Sequence, residues 1–382
     1  MSAGAAATSW ETRPTERESW RPSYPHGVII DIAAHIVPRR YFENISGMQG
    51  SYMEKRVARH PTLHDLDTRF RIMDRFSAFD YRQLLTLALP AIETVTTPIT
   101  APDICRALNE ELQGLVRKYA DRFVAALGCL PLNNPDACAA EIEHIQQLGM
   151  PGFHFNTNVD GLPLDHPSVL PVLEEAFGRG LVAFMHPSRG PHFLDYPGED
   201  KSRFEIWHVF GWPYETTAAM ARLAFSGLFD RHPDAVIITH HLGGMVPFFA
   251  DRIKNAYDQF GARTPDEDYE GMLRRMPNHP VEYFRKFHAD TGIYGGPRSI
   301  EVGVDFFGVD RVLWGSDMPF DREGGSLYIR LSIEALEATA LSPQAKSAIY
   351  EGNARRILKL PRDAERSPGE PVAEVTGGAA RP

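Results

Sequence analysis

Residues 235–244 read AVIITHHLGG. The run from Ala235 to His240 is short, apolar and rich in β-branched side chains. That pattern predicts a buried strand rather than a helix, which needs a longer run. The strand ends on two imidazoles, His240 and His241, followed by Leu242-Gly243-Gly244.

Working outward, the same kind of run recurs on both sides. Upstream lie VIIDIA (28–33), QLLTLAL (83–89), FVAALGCL (123–130), GFHFNT (152–157) and LVAFMH (181–186). Downstream lie RKFHADT (285–291) and RVLWGSD (311–317). Stretches of helical character separate most of them, at 101–119, 135–148, 168–179, 214–230 and 329–339. Several have start signals, such as Pro102 after Ala101 and the Asn134-Pro135 pair. Eight strands alternating with helices predict an α/β protein, a (β/α)8 TIM barrel. A doubly wound open sheet is the competing arrangement, but no GxGxxG follows the first strand.

Residues 41–80 form an insertion after the first strand. Its segment 63–76, LHDLDTRFRIMDRF, reads as an amphipathic helix capping the barrel mouth. The predicted organisation is one barrel domain over 27–361, with a flexible N-terminal arm at 1–26 and a flexible C-terminal tail at 362–382.

The 382 residues include 40 basic and 50 acidic side chains, a net charge of −10. This balance excludes general binding to nucleic acid or to an anionic membrane, which needs excess Lys and Arg. Cys105, Cys129 and Cys138 form no CxxC pair, so neither a disulfide framework nor a zinc finger is expected. No apolar run reaches the roughly 18 residues of a membrane span. The first residues lack the apolar segment of a secretory signal. A cytoplasmic setting is the expectation.

In a TIM barrel the chemistry sits at the C-terminal ends of the strands. The first strand ends on Asp31-Ile32-Ala33-Ala34-His35, where alternation puts Asp31, Ala33 and His35 on one face. The fifth ends on His186, the sixth on His240-His241, and the eighth on Gly315-Ser316-Asp317. His35, His186 and Asp317 together supply the mixed imidazole and carboxylate set of an open catalytic metal site. Zinc suits this set, and iron or manganese also accept it. His241 is then the acid/base or substrate-orienting group, since imidazole titrates near neutrality. Asp31 is assigned a buried, hydrogen-bonded role, and His154 a place in the core or against substrate.

These segments carry a resemblance to a known family. IDIAAHIVP (30–38), GFHFNTNVDGLPLDHP (152–167), AFMHPSRG (183–190), IITHHLGGMVPFFADRI (237–253), ADTGIYGG (289–296) and LWGSDMPFD (313–321) follow its order. The chain resembles the amidohydrolase superfamily, and within it the branch like aminocarboxymuconate-semialdehyde decarboxylase. The resemblance implies a (β/α)8 barrel holding one divalent metal, zinc or sometimes manganese. Carried over, the metal ligands fall on His35, His186 and Asp317. The water-activating histidine falls on His241. An arginine that binds the substrate carboxylate, contributed across a subunit interface in the best-known members, falls on Arg252 and implies a homodimer. The family's other ligand on strand 1 falls on Ala33, whose methyl group cannot ligate.

The resulting expectation is a metal-dependent, non-oxidative decarboxylase of a small unsaturated or aromatic carboxylic acid. His241 and Asp317 handle the proton, Arg252 and Arg189 hold carboxylates, and Trp212 walls the pocket with Trp207 and Phe210. Hydrolysis of an amide, lactone or carbon–carbon bond on the same metal is the alternative. A metal-free, non-catalytic binding relative is the third reading, motivated by Ala33.

Overall fold

The computed structural model describes residues 27–45, 52–87 and 89–360. The arm expected at 1–26 and the tail expected at 362–382 lie outside the described residues.

Eight strands form the wall. They are β1 (Val28–Ile36), β2 (Asp80–Leu87), β3 (Phe123–Ala126, continued by Gly128–Cys129), β4 (Gly152–Asn156), β5 (Val182–His186), β6 (Ile237–Thr239), β7 (His288–Asp290) and β8 (Val312–Leu313). Every neighbouring pair from β1 to β8 is parallel. The barrel closes between β8 and β1, where Ile32 N–H donates to Trp314 O at 3.1 Å and His35 N–H to Met318 O at 3.0 Å. The (β/α)8 barrel is therefore present. β7 and β8 are shorter than their sequence runs, because the chain leaves the sheet as soon as it reaches the site.

Crossover helices pack outside. The long ones are α1 (Ala101–Lys118), α2 (Pro135–Gln147), α3 (Leu170–Gly178), α4 (Gly211–Phe225), α5 (Pro297–Phe307) and α6 (Ser326–Glu337). α1 shows why they form. Proline stands in its first turn, Asp103 faces the positive N-terminal end, and Arg117 and Lys118 face the negative C-terminal end. Its buried face carries Cys105, Leu108 and Leu112.

Two apolar layers result. Ile30, Ile32, Leu84, Val124, Leu127, Phe184, Ile238 and Leu313 fill the barrel interior. A larger layer joins strands to helices through residues such as Ile29, Phe123, Phe153, Met185 and Trp314. Gly152 permits one close approach, since a Cβ there would fall 1.9 Å from Val182 O. The three cysteines are free and buried.

Strand β1 departs from simple alternation. Its register with β2 shifts between Asp31 and Ala34, so Ile32 and Ala33 both join the interior layer. Asp31 is buried and accepts hydrogen bonds from the Ser316 hydroxyl, the Tyr81 hydroxyl at 2.7 Å and Ala33 N–H at 3.1 Å. Burial raises its pKa, against these hydrogen bonds.

The insertion after β1 is helical, as the sequence predicts. The amphipathic segment forms a helix, Leu66–Asp74, capped by the Asp65 carboxylate. It anchors to the wall rather than roofing it. Its buried Arg69 donates to Gln83 Oε1 at 2.6 Å and to the His35 carbonyl. The mouth is instead covered by residues 55–60, in and after the short helix Tyr52–Ala58. That helix is too short for a clear period, so the longer one drew the assignment.

Candidate active site

Four buried side chains converge at the C-terminal end of the barrel. His35, His186, His240 and Asp317 each offer one donor atom, and these atoms all lie within 4.8 Å of one another. His35 and His186 pack edge to face with ring centroids 5.0 Å apart. His240 lies 5.0 Å from His186 and 5.5 Å from His35.

Each imidazole is held from behind at Nδ1. His35 Nδ1 meets Thr86 Oγ1 at 3.1 Å, His186 Nδ1 donates to Pro187 O at 2.7 Å, and His240 Nδ1 pairs with Asp290 Oδ2. With Nδ1 engaged, each Nε2 is the atom left for the site. Asp317 Oδ1 lies 3.0 Å from His35 Nε2 and 3.1 Å from His240 Nε2. The His35 contact is close without hydrogen-bond alignment, leaving His35 Nε2 a buried nitrogen with no hydrogen-bond partner. Asp317 Oδ2 accepts from the Tyr294 hydroxyl at 2.7 Å.

The electrostatics separate these groups. Burial lowers the pKa of His35, against the opposing pull of Asp317. Burial and the surrounding imidazoles push His186 well below the ordinary histidine value. Burial also opposes charge on His240, but Asp290 and Asp317 outweigh it and raise its pKa to about 10. Burial opposes ionisation of Asp317, yet the charge and hydrogen bond of His240, with His35 Nε2 close by, hold its carboxyl well below the usual range.

His241 stands beside this cluster. Its ring stacks on His240 at 3.8 Å and lies near-parallel to Trp212 at 6.2 Å. Nδ1 contacts Gly292 O at 2.6 Å, which assigns the proton to Nδ1 and the lone pair to Nε2. Burial and the neighbouring His240 lower its pKa to about 4.

A cavity of about 320 Å³ opens above the cluster, lined by Lys55, Arg56, Arg59, His60, Trp207, His208, Phe320 and others. Its floor meets the cluster through Tyr294 and Phe320, the latter 5.6 Å from His35. The Arg56 guanidinium lies over Phe320 at 4.1 Å and over Trp212 at 5.0 Å. Trp212 is buried, 5.3 Å from His186 and 4.3 Å from His208.

The structure thus brings together His35, His186, Asp317, His241 and Trp212. It places the two arginines elsewhere. The Arg189 guanidinium pairs with Glu215 Oε1 at 2.6 Å, so its charge is already engaged. Arg252 is exposed on the helix Ala250–Tyr257 and does not line the mouth cavity. Phe210 is 64% exposed and does not line the mouth cavity. His154 is buried against Phe184 and His186. Sequence reasoning missed Arg56, Arg59, His60, Tyr294 and Tyr328 at the mouth.

A family model described as Amidohydrolase matches residues 30–360. The chain belongs to the amidohydrolase family. This amidohydrolase is 30% identical over 265 residues to 2-amino-3-carboxymuconate-6-semialdehyde decarboxylase of Dictyostelium discoideum, covering 69% of this chain and 68% of that one. It is 28% identical over 334 residues to gamma-resorcylate decarboxylase of Rhizobium sp. (strain MTP-10005), covering 85% and 95% of the two chains. Among solved structures, a dihydroxybenzoic acid decarboxylase from Polaromonas sp. JS666 superposes with TM-score 0.69 at 24% identity, over 89% of this chain and 98% of that one. That structure holds manganese and the inhibitor 2-nitroresorcinol. The relatives place the amidohydrolase in the aminocarboxymuconate-semialdehyde decarboxylase-like branch. Among its described residues no helix is long and apolar enough to cross a membrane.

Proposed function

We propose that the chain is a metal-dependent, non-oxidative decarboxylase of a small aromatic or unsaturated carboxylic acid. The observation that carries this reading is the convergence of buried imidazole nitrogens and the Asp317 carboxylate beneath a cationic, aromatic cavity. The residues fit a divalent metal: His35 Nε2 is a buried donor with no hydrogen-bond partner, and Asp317 stays ionised beside it. His35, His186 and Asp317 would hold the ion. A nitrogen-rich set favours zinc, with manganese as the alternative. Bound there, the metal supplies Lewis-acid polarisation of a substrate oxygen.

The chain's own residues supply the rest. Aromatic walls at Trp207 and Phe320, backed by buried Trp212, suit a flat ring. Lys55, Arg56 and Arg59 place positive charge at the entrance, where a carboxylate is drawn in. In the reaction the carbon–carboxylate bond breaks, carbon dioxide leaves, and the electron pair left on carbon takes one proton. His241 Nε2 is the group to deliver it. With a pKa of about 4, this nitrogen rests unprotonated near neutral pH, so the proton it passes to carbon is one it takes up transiently from solvent. Asp317, kept ionised and fixed by Tyr294, orients rather than carries the proton. Exposed Arg252 is open to a second copy of the chain, in a homodimer.

The test is carbon dioxide release from a panel of hydroxybenzoates in deuterated water, with and without chelator. Expected are metal-dependent release and one deuterium on the ring carbon. Turnover of esters or amides with no release from any acid would replace this reading with hydrolysis.

A further inference from the structure

We propose that His240 is a fourth protein ligand of the metal, oriented by Asp290, so that the site is built from three histidines and Asp317. The inference rests on the reading of this cluster as a metal centre. It assigns to His240 a role that neither adjacency to His241 nor its place just past strand β6 implies.

The first support is direction. His35, His186 and His240 are each engaged at Nδ1 by a group behind the ring, and the Nε2 atoms of His35 and His240 both approach Asp317 Oδ1. A ring recruited only to pair with a carboxylate has no need of such matched anchoring. Four donors within 4.8 Å of one another lie close to the spacing around one ion, whose bonds are about 2 Å long.

The second support is how His240 is held. Asp290 is itself fixed, its Oδ1 accepting from Gly292 N–H at 2.8 Å and from His241 N–H at 3.1 Å. Its other oxygen meets His240 Nδ1. A carboxylate behind a histidine is the usual outer partner of a metal-bound imidazole, fixing tautomer and ring plane. Gly292 keeps the space open, since a Cβ there would fall 3.1 Å from His240 Cε1.

The third support is the neighbouring strand. Ala33 on β1 offers no donor, and its methyl is packed tightly. A Cβ built on Gly315 would fall 2.9 Å from Ala33 Cβ and 3.2 Å from Asp290 Cβ. Strand β1 therefore contributes one ligand, His35. His240 completes the set from across the barrel.

The experiment uses full-length protein loaded with cobalt(II). In His240→Cys a direct bond produces a thiolate-to-metal charge-transfer band in the near ultraviolet, absent from the parent, whose three buried cysteines are not among the clustered donors. Metal affinity is measured in parallel by chelator competition. His240→Ala is expected to bind at least about 100-fold more weakly, and Asp290→Asn about 10- to 100-fold more weakly. His241→Ala should leave affinity within a few-fold. Circular dichroism melts identify a variant that fails to fold, and the Asp290→Asn measurement then decides. A parent that binds metal through His35, with no band in His240→Cys and unchanged affinity in His240→Ala and Asp290→Asn, overturns this inference and leaves the decarboxylase reading standing. A parent that binds no metal yet releases carbon dioxide overturns both.

Discussion

The Tyr294 hydroxyl donates a 2.7 Å hydrogen bond to Oδ2 of Asp317, while Oδ1 of the same carboxylate faces His35 and His240. One oxygen is thus tied to the wall and the other is presented to the site. Tyr294 is itself steadied by stacking on Tyr328, with ring centroids 4.3 Å apart. Tyr294→Phe keeps the stack and removes the donor. A hydrogen bond to a charged group contributes about 1.5–3 kcal/mol, so kcat should fall roughly 10- to 100-fold. Losing the donor also raises the Asp317 pKa, so the acidic limb of the kcat profile should move to higher pH. Steady-state kinetics across pH check both, with bound metal measured on the same samples.

The histidines also set how stability depends on pH. In the fold His154 and His288 are lowered to about 3 and His241 to about 4, each chiefly by burial. The unfolded chain binds protons at these groups from about 6.5 downward while the fold does not. Their contribution is therefore complete above about pH 6.5 and is lost as pH falls toward 3. His240 works the other way. Raised to about 10, it contributes fully below about 6.5 and loses that contribution as pH rises toward 10. The Tm of chelated protein should peak near pH 6.5 and fall on both sides. His240→Asn should flatten the alkaline side and soften the acidic side slightly, because His240 helps hold His154 and His241 down.

Much of this was readable from the chain, and the exceptions have physical causes. Short β-branched runs ending on His186, His240 and Asp317 point to barrel strands and to the site at once, because parallel strands present their C-terminal ends together. Adjacent residues on a strand face opposite ways, so reading His241 into the site turns His240 away from it. The backbone removes that choice: His241 and Leu242 both adopt positive φ, 53° and 54°, and both rings turn into the site. Nothing in residue type announces such a turn at a histidine. Arg189 looked available because its partner, Glu215, is 26 residues away. Arg56 went unseen because a seven-residue helix carries little periodic signal.

Arg69 tests the frame that carries His35. It is fully buried and donates to the His35 carbonyl, to Thr62 O at 3.3 Å and to Gln83 Oε1 at 2.6 Å. Arg69→Met keeps the stem and leaves those acceptors without their donor. The expected loss is about 3 kcal/mol, near the cost of breaking a buried charged network. Urea unfolding monitored by tryptophan fluorescence measures it. Metal affinity should fall with it, because the strand segment that presents His35 loses its anchor.

Trp212 separates a wall from a scaffold. Its ring faces His186, His208 and the Arg56 guanidinium, while its Nε1–H donates to Arg189 O at 3.1 Å. Trp212→Phe retains most of the apolar surface and removes only the polar handle, at about 1 kcal/mol of stability. Trp212→Ala empties the space and should cost about 3–5 kcal/mol. If the ring contacts substrate, Trp212→Phe should raise KM several-fold with kcat nearly unchanged, since flat contact is made equally in ground and transition states. If Trp212 only positions His186 and His241, kcat should fall while KM holds. The direction of that split, read from one Michaelis series on Trp212→Phe, decides whether the cavity recognises a ring or whether the tryptophan serves the metal centre alone.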